Sequence, residues 1–407
     1  GLEIPFDFGV DFMRENVQLE DKIEYYFVVS DNDGVNGSKS TRSRTFLYKL
    51  PTLEELNQER EKTQEQGKEN LADLLNKTKD FQKDLERLQK DLLNSKASDW
   101  KQKNQLNQLK NQHSDLLKSL EQTKDMLQHS SEEKQQLSKE DESFLEKQQM
   151  IEDLLNQLMD DELRKLLDDL DKLLEQNNKE GQQKALDEMK MSSEEMNKQL
   201  DRSLEMLKKM QVDEKIDAIE KELQKLAEQQ EKLQKEIESK KVTKDDAEKK
   251  QKDINDQFDQ LKDDLNKLDE LNKELNRPMD LPSTEEKEQS IQKELNDAKE
   301  NLSKGKDSKA GQNQKSASEQ MKELAEQMDK AQQDSNKQQQ GEDMELLREI
   351  LESLVTLSLD QESVMNKFSS IQQNDPNYRK YARVQRTIVD NTVPVSDSLY
   401  ELAKRQP

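Results

Sequence analysis

The sequence predicts a mainly α protein built from long antiparallel coiled-coil helices that follow the last strands of a small β-domain. Three observations predict it. Apolar residues make up 30 % and charged residues 38 % of the 407 positions, too thin an apolar share for ordinary globular domains. Leu, Glu, Lys, Gln and Asp dominate, with Gly and Pro at only 9 and 7, so the polar bulk is helix-forming. Apolar residues also recur at alternating three- and four-residue spacings, the pattern that keeps a narrow seam against a partner helix.

Residues 1–50 stand apart. Ile4, Phe6 and Phe8 alternate as on a half-buried strand, as do Ile23, Tyr25, Phe27 and Val29, and then Arg44, Phe46 and Tyr48. Between the last two runs lies Asp31-Asn32-Asp33-Gly34-Val35-Asn36-Gly37, a hairpin loop by composition. Three strands with one apolar face seldom stand alone, so this segment reads as the C-terminal part of an immunoglobulin-like β-sandwich. At Leu50-Pro51-Thr52 the pattern changes, and Thr52 with Glu55 completes a capping box for a helix.

Four heptad stretches follow: Leu71 to Leu92, Leu106 to Leu127, Val212 to Ile237, and Ala247 to Leu268. Polar residues share the seams, among them Thr78, His113, Gln230 and Gln251. Breaks are expected at Ser95–Asp99, near Ser130, at Asn177–Gly181 and Ser192, at Val242-Thr243, and across Asn276–Ser283 with its two prolines. Breaks at these intervals favour antiparallel hairpins, with a parallel homodimer as the alternative. Ser303 to Lys315, holding Gly305 and Gly311, reads as a flexible linker, and Gln338–Gly341 closes that region. Two segments, Ile151–Leu174 and Met344–Ile371, carry broader apolar stripes expected to form multi-helix cores. The last helices, after Asn374-Asp375-Pro376, are short and basic, broken at Val393-Pro394-Val395. The domain reading is 1–50, end of a β-sandwich; 51–275, segmented coiled coil; 276–343, broken helices and linker; 344–407, an apolar helix plus basic helices.

Composition also limits function. A net charge of −24 repels nucleic acid and anionic lipid. With no cysteine and two histidines, His113 and His129, thiol chemistry is excluded and histidine-based sites are nearly so. No apolar run approaches the roughly 18 residues of a membrane helix. The chain opens at Gly1 within a strand-like pattern and stops at Pro407 after an unfinished helix, so it reads as a fragment.

Few residues suggest chemistry. Gly305 to Gly311 lacks the order of a phosphate-cradling loop. Asp31, Asp33 and Asn36 offer oxygen ligands to calcium, though Asp, Asn and Gly also simply turn a chain. The acidic run Asp160, Asp161, Glu162, Asp168, Asp169 and Asp171 reads as a solvated face. His113 sits at a seam, where charging an imidazole would loosen the packing. Leu347, Leu351, Leu354, Phe368, Tyr378, Arg379, Tyr381 and Arg383 are the candidate partner-binding residues. The basic set Arg379, Lys380, Arg383 and Arg386 either docks on an acidic helix of the same chain, the preferred reading, or binds a separate acidic surface. No cofactor is expected, and the partners expected are the chain's own helices, a further copy, or an envelope protein.

The run Tyr25 to Ser40, then Pro51-Thr52-Leu53-Glu54-Glu55-Leu56, then the Lys/Glu/Gln/Leu-rich helices, resembles large envelope proteins of the Bacteroidota in domain-of-unknown-function family 4175. Leu357-Ser358-Leu359-Asp360-Gln361-Glu362, Asn374-Asp375-Pro376 and Asp397-Ser398-Leu399-Tyr400 extend the resemblance. It implies a fragment on the periplasmic side of the inner membrane, tethered by an anchor outside these residues. It supplies no catalytic residues. The expectation is a non-enzymatic scaffold or spacer, with a partner-recognition module as the second reading and an enzyme whose catalytic domain lies outside the fragment as a remote third.

Overall fold

The computed structural model describes residues 20–31, 37–94, 100–137, 142–159, 162–176, 178–371, 375 and 377–405. Strands β1 (Lys22–Tyr25) and β4 (Phe46–Lys49) pair antiparallel, as do β2 (Val28–Ser30) and β3 (Ser40–Arg42). These are two halves of one hairpin. Tyr25 faces Phe46 and Val28 faces Arg42, so two residues on one side oppose three on the other, a β-bulge. The Phe27 N–H donates to Ser43 Oγ and the Ser43 N–H to the Phe27 carbonyl, each at 2.9 Å. Tyr25 stacks on Phe46 at 5.3 Å, and Phe27 meets the same ring edge-on at 6.0 Å. The expected hairpin is present. Among the described residues the β part goes no further than two-stranded pairing, and the alternation at Ile4 to Phe8 lies outside them.

Leu50 is buried and the helical region starts behind it. The Glu55 N–H donates to Thr52 Oγ1 at 3.0 Å and the Thr52 N–H to Glu55 Oε2 at 2.8 Å, the reciprocal box expected from the sequence. The helices are α1 (Leu53–Asn94), α2 (Trp100–Leu137), α3 (Glu142–Leu158), α4 (Glu162–Glu175), α5 (Lys179–Glu238), α6 (Lys244–Lys273), α7 (Glu285–Ser303), α8 (Asp307–Ser369) and α9 (Tyr378–Arg405). The chain divides into two compact units between Asn197 and Lys198, inside α5. The sequence places no boundary there; the break expected nearby, at Ser192, falls inside the same helix.

In the first unit, Gln112 bonds Asp84 and Gln105 bonds Asp91. Numbers rise on one helix as they fall on the other, so α1 and α2 are antiparallel. Lys110 to Asp171 and Lys124 to Asn156 run α4 and α3 back along α2. Gln89 to Asp187 and Glu86 to Lys190 bring the first turns of α5 down along α1. The result is an up-and-down four-helix bundle with α3 and α4 as one broken member. Ile151, Leu154, Leu155, Leu158, Leu167, Leu170 and Leu174 are buried, so the broad stripe read at 151–174 does form a multi-helix core.

The second unit repeats the plan with the rest of α5 and α6 to α8. The α5–α6 turn closes through Lys240, which takes a left-handed φ of 53°, and the Lys241 N–H reaches the Glu236 carbonyl at 2.9 Å. Thr243 caps α6 through the Asp246 N–H. At the proline break, both ends of the Asn272 amide bond the Met279 backbone at 2.8 and 2.7 Å, which ties the connection down. Asn255 to Asn296 sets α6 against α7, Asn301 to Asn313 joins the adjoining ends of α7 and α8, and Ser318 to the Ala227 carbonyl sets α8 against α5. One layer of this core is polar. Gln251 exchanges bonds with Gln230, receives one from Gln314 and gives one to Asn255, at 2.8 to 3.1 Å. All four are buried.

Several expected breaks are absent. Ser303–Lys315 is not a linker. Gly305, at φ +67°, makes the tight turn out of α7, with the Lys306 N–H on the Asn301 carbonyl at 2.8 Å. Gly311 is buried inside α8, where a Cβ would meet Gln234 at 3.6 Å. A helical glycine costs about 1 kcal/mol, and burial of Ala310, Ala317 and Met321 in this core outweighs it. Helix α2 likewise continues past Ser130, α5 past Ser192, and α8 past Gln338–Gly341.

The last helix, α9, contains Pro394 in mid-helix where a break was expected. Proline there removes one backbone bond and crowds the carbonyl four residues back. Buried Ile388 before it and Leu402 after it hold the two halves in line, and Tyr400 Oη bonds the Lys198 carbonyl at 2.7 Å. Pro394 itself is exposed, so Pro394→Ala is expected to stabilise α9 by about 2–3 kcal/mol. Slower amide exchange over residues 390–398 would register that gain.

Candidate functional site

The surface that departs from the plan is the hairpin of α8 and α9. Past Asp343, α8 leaves the four-helix bundle and continues for more than six turns. Ile350 and Val364 of α8 and Ile388 and Leu402 of α9 are buried between the two. Gln385 bonds Gln361 at 2.7 Å, and near the turn Phe368 packs edge-on against Tyr378 and Tyr381, with ring centres at 5.2 and 6.0 Å. This aromatic clasp fixes the reversal. Phe368 and Tyr381, two of the expected partner-binding residues, are half-buried in it and hold the hairpin shut.

The rest of the stripe is not a core. Met344 is 69 % exposed, Leu351 60 %, Leu359 61 % and Met365 57 %, and Leu347, Leu354 and Val355 are exposed too. This corrects the expectation of a multi-helix core at 344–371: α9 covers one face only. Leu347, Leu351 and Leu354 are where a partner could reach them. Sequence reasoning missed Val389 and Val393 of α9, both exposed; their four-residue spacing, set a quarter turn from Ile388, was the available signal.

The basic set is also free. Arg379, Lys380, Arg383 and Arg386 are exposed, and among the described residues none forms an ion pair with an acidic helix of the chain, the docking expected for them. Tyr378 is 36 % exposed beside them.

The remaining candidates, where they are described, make contacts within the chain. Asp31 Oδ1 accepts the Lys39 N–H at 2.8 Å and the Asp31 carbonyl accepts Ser38 Oγ at 2.7 Å, so this carboxylate closes the hairpin loop; Asp33 and Asn36 lie outside the described residues. Asp168 and Asp171 hold Lys110 at 3.0 and 2.9 Å, and Asp169 pairs with Lys172. Partial burial works to lower the Lys110 pKa, but the bonds to Asp171 and Asp168 outweigh it and raise the ammonium above its usual range. Asp160 and Asp161 are outside the described residues. His113 is buried beside Phe81, ring centres 6.5 Å apart, in the α1–α2 seam. Among the described residues no group of three or more His, Asp or Glu is placed to hold a metal ion, and no helix is long and apolar enough to cross a membrane.

Fold and surface together define a helical-bundle protein in which, among the described residues, one apolar face of the α8–α9 pair is exposed. Comparison with protein-family models, curated proteins and solved structures yields no match.

Proposed function

We propose that this chain is a non-enzymatic, elongated scaffold or spacer of the bacterial cell envelope, acting by helix–helix packing and protein interaction. The observation that carries the reading is α8, whose 63 residues form one uninterrupted helix within the second unit. At 1.5 Å per residue it spans about 95 Å, a length that suits holding things apart. The three-four spacing of the buried seams supports antiparallel coiled-coil packing as its mode of assembly, and the β-hairpin is what the end of an immunoglobulin-like sandwich would contribute. Placement on the periplasmic side of the inner membrane, through an anchor outside these residues, rests on the resemblance to the Bacteroidota envelope proteins.

Small-angle scattering tests the reading. A compact chain of this length has a radius of gyration of about 22 Å, whereas a rod as long as α8 alone gives about 27 Å. A value above the second is expected; one near the first would overturn the proposal. The exposed apolar face of α8 and α9 favours a second reading, a partner-recognition module, within the same scaffold.

A further inference from the structure

We propose that the apolar face of the α8–α9 hairpin seats a second copy of this chain, packed about a two-fold axis that passes Ser358 of α8 and Ile388 of α9. The inference rests on the scaffold reading and names its partner.

The face spans both helices. At 100° per residue, Leu347, Leu351, Val355 and Met365 lie roughly 60° to 140° beyond the buried Ile350 direction, counted toward increasing residue number. Val389 and Val393 lie roughly 100° and 140° beyond Ile388 in the same sense. Because α9 runs antiparallel to α8, that sense turns both helices toward the same side of the hairpin. On this side the hairpin thus presents apolar residues at 347–355 and at Met365 of α8 and at Val389 and Val393 of α9, with Ser358 and Glu362 set between the two α8 groups, more than isolated exposed residues would.

Charge selects the occupant. Near the turn the hairpin is basic, through Arg379, Lys380, Arg383 and Arg386; toward its other end it is acidic, through Glu345, Glu349, Asp390 and Asp397. All eight are exposed. Two such hairpins can stack face to face about an axis along the helices or one across them. The first sets acidic end on acidic end, which is repulsive. The second lays α8 on α8 and α9 on α9, antiparallel, with basic end on acidic end.

Register then follows. Gln361 bonds Gln385, so an axis at Ser358 passes Ile388. That one axis brings Arg386 level with Asp390 of the second copy, Arg379 with Asp397, and Leu351 with Met365. Three matched pairings from one axis are what an isologous interface requires.

The natural absence of cysteine makes a sharp test. In the full chain, Ser358→Cys places a thiol at the axis, and a short bismaleimide is expected to link it to itself in high yield. Glu349→Cys, on the far side of α8, is expected to give none. Sedimentation velocity should show a dimer at micromolar concentration. Reversing both Arg379 and Arg386 to Asp should raise its dissociation constant about 30-fold, and adding Asp390→Arg and Asp397→Arg should restore it. A monomer with no Ser358→Cys self-linkage overturns the proposal, as does linkage of that thiol only to a different polypeptide. Failure of the charge swap to restore pairing would overturn this register and axis. An extended monomer leaves the scaffold reading standing, whereas a compact particle defeats that reading whatever its oligomeric state.

Discussion

Phe81→Ala is expected to destabilise the first unit by about 3–5 kcal/mol, read as a lowered denaturant midpoint by circular dichroism. Phe81 is 1 % exposed on the α1 seam, between Leu74 and Leu85 of its own helix and beside His113 of α2. Removing the ring takes away its transfer free energy and leaves a cavity that rigid neighbouring helices cannot fill. Those neighbours are committed elsewhere: Thr78 Oγ1 is bonded back to the Leu74 carbonyl at 2.8 Å, and Gln112 is held by Asp84. The control is Trp100→Ala. Tryptophan is the larger side chain, but Trp100 is 78 % exposed, so its loss should shift stability by no more than about 0.5 kcal/mol. An equal response from the two variants would show that the seam does not carry the bundle.

Gln251→Leu should cost the second unit about 3–5 kcal/mol although leucine is the more apolar residue. The amide of Gln251 bonds Gln230, Gln314 and Asn255 at once, inside a core shut off from water. Each buried polar group left without its bond costs about 1–3 kcal/mol. Replacing Gln230, Gln251 and Gln314 together by leucine removes most of those orphans and is expected to recover most of the loss. The triple variant should then betray the role of the layer. A wholly apolar seam permits helices to slide by a heptad, whereas an amide network fits one register, so broadened side-chain resonances are expected with stability largely restored. If the single variant proved neutral, the network would contribute little to either stability or register.

The helices were legible because their seams are. Leu71 to Leu92 and Ala247 to Leu268 are buried at every position read as seam, and the box at Thr52 and the cap at Thr243 start helices where a change was expected. Local signals for ending a helix fared worse. Gly311, Gly341 and Pro394 all lie within helices, since a cost of about 1–3 kcal/mol per residue is smaller than the burial gained when the helix continues along its neighbours. The candidate surface was half legible. Leu347, Leu351 and Leu354 were picked out as apolar, and Arg379 and Arg383 as basic, but the stripe on α8 matches those that became cores.

What the sequence by itself determined is the helical state, the seam residues and the caps at Thr52 and Thr243, because these depend on neighbours within a turn or two. Which helices lie together, and which stripe is left uncovered, was decided by the tertiary structure. An apolar stripe specifies that it be covered and not by what. In the first unit α3 and α4 are covered by α2 and the start of α5; beyond Asp343 α9 returns along one face of α8, and Leu347, Leu351 and Val355 stay exposed.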